Sequence, residues 1–294
     1  MRDFDHFLAI DWSGAKGERH KGIALAIADA SGGPPVLVEA PTRGWSRIEV
    51  LEILKHDLPR DTLVGIDLGI SLPFMDAGAY FPGWDRSPRH ANALWAFIDE
   101  ICAKDPHLEA NSFVSHSEAS RYFRHGRDYV GDRFHLADAI SREGRFRQAE
   151  VQQRAQKCRP VSNFNLVGAA QVGKSSLTGM RMLHRLKGHL PVWPVQPIPK
   201  HGSLLVEIYT GLASKEAANL GARTKFLTYA DLNAALRTLD TPPIDQTGEI
   251  DDHSSDALLT AAWLRKVHKE PKRWEPRTLT AEIARVEGWT FGAL

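Results

Sequence analysis

The apolar pattern starts with a run from Phe7 to Trp12, interrupted only by Asp11. A polar turn, AKGERHKG, separates it from a second run, GIALAIA, and a Gly/Pro break, ASGGPP, precedes a third, VLVEA. Short apolar runs bounded by turn residues read as strands. Three of them in the first 40 residues leave room only for hairpins, which predicts an antiparallel meander. Next, SRIEVLEILKHDL sets Ile48, Leu51, Leu54 and Leu58 at helical spacing, and TLVGIDLGI has the nearly continuous apolar character of a buried strand. A strand, a crossover helix and a strand predict a right-handed parallel return.

Between residues 75 and 200 the punctuation is denser. AYFPGWDRSPRH leads into helices expected at 90–104 and 136–157, and PVWPVQPIPKHG is proline-rich enough for a loop or a sheet edge. This stretch, 75–200, reads as a largely helical insertion or cap on a core formed by 1–74 and 201–294. LLVEIYTG restores strand character, and a helical stretch is expected near 214–239. In DDHSSDALLTAAWLRKVHK, residues 257–264 are apolar all round apart from Thr260, the mark of a helix buried on most sides. The expected class is α/β, a mixed sheet of meander and parallel strands flanked by helices.

Two of these strands end alike. LAIDWSG puts Asp11, and VGIDLGI puts Asp67, directly after an apolar run. Buried carboxylates are costly unless paired, hydrogen-bonded or bound to a metal, and ligands of open α/β sheets collect at strand ends. Asp256 leads the buried helix, with Asp252 and His253 one turn earlier on the same face. Together these groups would form an oxygen-rich set with one imidazole, suited to Mg²⁺ or Mn²⁺. Plainer roles compete: Asp251 or Asp252 as a helix N-cap, and Asp67 as a partner of turn amides.

In order and wording the segments resemble a ribonuclease-H-like fold, and within it the family called domain of unknown function 429, described as predicted nucleases. The matching strings are AIDWSGAKG, GIDLGISLPF, LLVEIYTGL, DHSSDALLTAAW and the ending ARVEGWTFG, about half of the chain at its two ends. A His three residues before the last Asp is also similar to some Holliday-junction resolvases of this fold. The resemblance implies metal-dependent hydrolysis of a phosphodiester in nucleic acid, with Asp11, Asp67 and Asp256 as the catalytic carboxylates. Ribonuclease H itself completes its site with a Glu on the first helix. Glu49 or Glu52 could serve here, but Glu207, inside the returning strand, is the preferred fourth ligand.

Two other features bear on phosphate chemistry. GAAQVGKS, Gly168 to Ser175, satisfies the phosphate-loop pattern, in which Lys174 would reach phosphates and Ser175 a Mg²⁺. A credible helix follows it, but SNFNLV before it is a weak strand, and a glycine-rich structural turn is the competing reading. Residues 121–159 hold ten Lys/Arg against five Asp/Glu, interleaved with Tyr122, Phe123, Tyr129, Phe134 and Phe146. Arg124, Arg127 and Arg133 there are candidate nucleic-acid contacts, with the aromatics as stacking partners. A solvated helical face explains the same pattern.

Composition narrows the choice only slightly. With 37 Lys+Arg and 36 Asp+Glu, the chain of 294 residues has a formal charge of +1, so any basic surface is local. Only Cys102 and Cys158 are present, in no zinc or disulfide pattern, and the start holds just four consecutive apolar residues before Asp11. These features lead to the expectation of a cytoplasmic protein with no membrane span and no disulfide partner. Besides nuclease action, two alternatives stay open: an ATP-dependent phosphotransferase, on the kinase branch of the superfold or on the phosphate-loop-like segment, and a catalytically silent nucleic-acid-binding module.

Overall fold

The structure is a computed structural model that describes residues 2–125, 129–135, 144–167, 172–218 and 225–294. Strand β1 (His6–Asp11) is followed by β2 (Ala24–Asp29) and β3 (Gly32–Val38). Helix α1 (Arg47–Glu52), opened by a Ser46/Glu49 capping box, leads to β4 (Thr62–Asp67). Then come α2 (Ala91–Ile101), α3 (Gln148–Ala155), α4 (Val172–Leu186) and the two-residue strand β5 (Val192–Trp193). The chain closes with β6 (Leu204–Glu207), α5 (Thr210–Ala218), α6 (Tyr229–Thr238), α7 (Asp252–Val267) and α8 (Ala281–Val286).

The strands form one mixed sheet in the order β3-β2-β1-β4-β6-β5. The meander pairs antiparallel, whereas β4 is parallel to β1, β6 to β4, and β5 to β6. Both edges are blunted: β3 carries Pro34 and Pro35, and β5 is short and followed by Pro194. The proline-dense segment is thus the sheet edge that its composition allowed.

Alternation along the strands sends side chains to two cores. Leu8, Ile10, Val64, Ile66 and Leu205 pack on the face covered by α1, α2 and α4. Phe7, Ala9, Leu63, Leu204 and Val206 pack on the other face, with α7 central to it. Every residue of α7 from Ser255 to Leu264 is buried, in agreement with its all-round apolar sequence. The helix lies close over the sheet at Gly65, where an added Cβ would meet Ile208 Cγ2 and Leu264 Cδ1, each at 2.8 Å.

The boundary drawn at residue 200 does not coincide with a break in packing. Helix α4 and strand β5 come from the stretch read as an insertion, yet they share the first core with β1 and β4. The helix expected at 136–157 is seen over Gln148–Ala155, while 136–143 lie outside the described residues. The helical stretch near 214–239 is two helices, α5 and α6. Among the described residues no helix is long and apolar enough to cross a membrane. Cys102 is buried, Cys158 half-buried, and both are free thiols.

Gly65→Ala should therefore overpack the joint between β4 and α7 and destabilise the fold by about 1–3 kcal/mol. Urea unfolding measures the difference, and an unchanged midpoint would mean that the helix does not sit this close to the strand.

Candidate active site

The C-terminal ends of β1, β4 and β6 open into a cavity of about 410 Å³. Asp11 and Asp67 are register partners in the parallel ladder, so their carboxylates start side by side. By strand alternation both share the face of Phe7, Ala9 and Leu63, the face that α7 covers. Asp252, His253 and Asp256 line the same cavity from the first turns of α7. The N-cap is Asp251, which accepts from Ser254 N at 2.9 Å, and this leaves Asp252 to pair with Lys225 Nζ at 2.5 Å.

His253 Nδ1 donates to Asp11 Oδ2 at 2.7 Å. That hydrogen bond is the main reason the imidazole pKa is raised above its ordinary value, against a partial burial that lowers it. Thr210 Oγ1 donates to Asp67 Oδ2 at 3.0 Å. Asp256 is only 5% exposed. Among the described residues no three His, Cys, Asp or Glu groups are arranged to hold a metal ion.

Glu207 is placed differently. Its register partner is Ile66, not Asp67, so it points to the opposite face from the two aspartates. There it meets Arg147, whose Nη1 and Nη2 donate to Glu207 Oε2 and Oε1 at 2.8 and 2.5 Å. Ile70 N adds a bond to Oε2 at 2.8 Å, and the Thr290 hydroxyl one to Oε1. Glu207 still lines the cavity, but both of its carboxylate oxygens are committed to these partners. Glu49 is held by the Ser46 capping box and Arg19, and Glu52 pairs with Lys55 and His56, so neither completes the site.

The same guanidinium binds Glu150 through Nη2 at 2.5 Å and Nε at 2.9 Å. Arg147, Glu150 and Glu207 are all nearly inaccessible, at 1%, 4% and 3% exposed. Burial alone would lower the Arg147 pKa, but the two carboxylates that share this cation outweigh it and hold the pKa well above its ordinary value. The pKa of Glu150 is raised by burial, an effect that nearby Glu207 reinforces. Glu287 accepts from the backbone of Phe74, Met75 and Gln148 at 2.7, 2.8 and 2.7 Å, which joins the chain's ending to the back of the cavity.

The loops that follow both aspartates are fastened to the start of α4. Trp12 Nε1 donates to Thr178 Oγ1 at 3.0 Å, and Gly69 N donates to Ser176 Oγ at 3.1 Å. Gly14 lies so near that an added Cβ would collide with the backbone of Lys174 and Ser175. The buried Arg47 secures this loop from behind, donating to Ser13 O at 3.0 Å, to His107 O at 2.8 Å and to Ala15 O.

No family model, curated protein or solved structure matches the chain. The resemblance to the domain of unknown function 429 family therefore rests on the quoted segments alone.

The other sequence candidates are scattered. Ser175 lines the cavity, whereas Lys174 faces away from it into a neighbouring one. Gly168–Gln171 lie outside the described residues, and before them Asn165 makes a single bridge with Arg124 in place of a buried strand. Arg127 also lies outside the described residues. Arg133 is structural, donating to Tyr122 OH at 3.0 Å and to Pro82 O. Tyr122, Phe123 and Phe134 are core residues, at most 1% exposed, with Tyr122 against Phe81 and Phe123 against Phe113; base stacking on them is excluded. Sequence reasoning missed Arg147 and Arg47, which looked like ordinary members of charged stretches.

Arg147→Met would leave Glu150 and Glu207 buried side by side without their cation, and should destabilise the protein by about 3–5 kcal/mol near neutral pH. A carboxyl whose folded pKa lies above its unfolded value costs stability above the unfolded pKa and regains it as pH falls. The gap between variant and wild type should accordingly narrow from about pH 7 to about pH 5 in urea unfolding. A constant gap would mean that neither carboxylate depends on Arg147.

Proposed function

We propose that this cavity is the active site of a metal-dependent nuclease, hydrolysing phosphodiester bonds in nucleic acid with Mg²⁺ or Mn²⁺ on a ribonuclease-H-like sheet. The observation that carries the reading is the pairing of Asp11 with Asp67 at the ends of neighbouring parallel strands, beneath Asp256 and His253 of α7. The strand order, a meander continued by parallel strands, supports the fold that the resemblance implies.

In chemistry the donor set suits a hard divalent cation, and Asp11, Asp67 and Asp256 are the residues that would hold one. In spacing it needs adjustment, since His253 occupies an Asp11 oxygen and the described groups do not converge. A bound ion of this kind supplies a Lewis acid and a water of lowered pKa. The chain itself provides the rest. Arg159 and Lys225 bring positive charge to the cavity wall, where phosphate oxygens would lie, and the Ser175 hydroxyl adds a donor. His253 keeps its proton more readily than a free imidazole, a property suited to donating to a departing oxygen. No covalent nucleophile is required.

Asp11→Asn preserves shape while removing a charge and a strong ligand. Wild type should melt higher with Mn²⁺ and cleave at least one of single-stranded, duplex, hybrid and branched substrates. The variant should lose both properties and keep, or slightly gain, stability without metal. Absence of a Mn²⁺ shift in wild type, with the variant weakened by about 1–3 kcal/mol in all conditions, would assign Asp11 to structure and sink the proposal.

A further inference from the structure

The first turn of α4 divides two cavities. Ser175 borders the one holding the aspartates, and its neighbour Lys174 borders a second, of about 320 Å³, on the other side. That volume lies at the lower end of the roughly 300–1,000 Å³ typical of small-molecule sites. Its walls are mainly apolar, from Ala15, Ala110, Val114 and Leu177. Glu109 also lines it, and its carboxylate accepts from Gly17 N at 2.6 Å and from Asn111 Nδ2. Lys16 and Lys174 outnumber that carboxylate, so the net charge of the lining is positive.

His125 supplies a second polar group. Its Nε2 is buried and has no hydrogen-bond partner among the described residues. Burial and the charge of Lys174 lower the pKa of this imidazole, so the ring is neutral and offers one donor and one acceptor. An apolar slot flanked by Lys16 and Lys174, with the neutral His125 imidazole in its wall, suits a ligand that is flat and apolar on its faces, polar at its edges and anionic at one end.

We propose that the second cavity binds the base and sugar of a nucleotide whose phosphate lies against Lys174, the nucleotide next to the one cleaved. The choice of occupant rests on the nuclease reading of the first cavity: a strand crossing the α4 turn would place successive phosphates on the two sides of Lys174 and Ser175. This also gives the GKS end of the phosphate-loop-like segment a role without an NTPase site. The Gly14 contact with Lys174 and Ser175 fixes the partition to the Asp11 loop.

Calorimetric titration in EDTA with adenosine 5′-monophosphate, adenosine and inorganic phosphate tests the site without ion or cleavage. The monophosphate should bind more tightly than either fragment. Lys174→Ala should weaken it by about tenfold or more. Ala15→Trp should block it from the exposed loop, with Val114→Trp as the second filling variant should the first melt early. Asp11→Asn should leave binding unchanged. The proposal is overturned by no binding to wild type, by inorganic phosphate binding equally well, or by insensitivity to Lys174→Ala and both filling variants. Loss of binding in Asp11→Asn alone would move the ligand to the first cavity and overturn it too. A nuclease reading that fails on metal and cleavage leaves this titration untouched, so the two failures are distinguishable.

Discussion

The parallel register of β1 with β4 is the constraint from which the site follows, because it forces Asp11 and Asp67 to neighbouring positions on one face. Adjacent strands run about 4.8 Å apart. Two carboxylates at roughly 5 Å and an effective dielectric near 20 repel by about 3 kcal/mol. A fold keeps such a pair only with compensation close by, and here His253 and Thr210 each reach one of the two. The helix that carries His253 is buried without interruption from Ser255 to Leu264, so core packing sets where its first turn lies.

The cavity is shaped by a second, independent restraint on the far face of the sheet. Arg147 and the carboxylates of Glu150 and Glu207 tie α3 to β6, and Glu287 carries the connection to the end of the chain. Buried ion pairs of this kind contribute little net stability, and their value lies in permitting few alternative arrangements. Removing the cation exposes the full desolvation penalty of two carboxylates, so the network is far more costly to break than it was to assemble.

Much of this was legible in the sequence, and what was not has a physical explanation. The meander, the parallel return and the buried helix α7 were readable because periodicity of apolar residues is a local signal. Asp11, Asp67, Asp252, His253 and Asp256 were readable as a group because each sits at a fixed offset from such a run. That Glu207 faces the other side of the sheet from the aspartates was not readable, for a reason that register makes plain: one residue along a strand reverses the face, and sequence alone does not give the pairing of Glu207 with Ile66. Arg47 and Arg147 were invisible as buried residues, since an arginine in the interior is identified by the carbonyls and carboxylates around it, all of them distant in sequence.

The stretch from 75 to 200 was hardest to read because its helices depend on partners elsewhere. Its basic and aromatic residues looked like a nucleic-acid surface, but Tyr122, Phe123 and Phe134 are core, only Tyr129 among the five rings is exposed, and several of the arginines hold the fold. Arg145, for example, is bound to Asp76 and to the carbonyls of Pro73, Ala79 and Tyr80. Besides Arg147 and Arg159, what this stretch contributes to the site is the first two turns of α4, locked by Trp12, Gly14 and Gly69 to the loops that follow the two aspartates. A shift of α4 would pull on both loops together, so the cavity holding the carboxylates and the one beyond Lys174 are mechanically one unit. Any ligand that bridges them would be held by a rigid partition and not by a mobile loop, which favours a substrate long enough to occupy both.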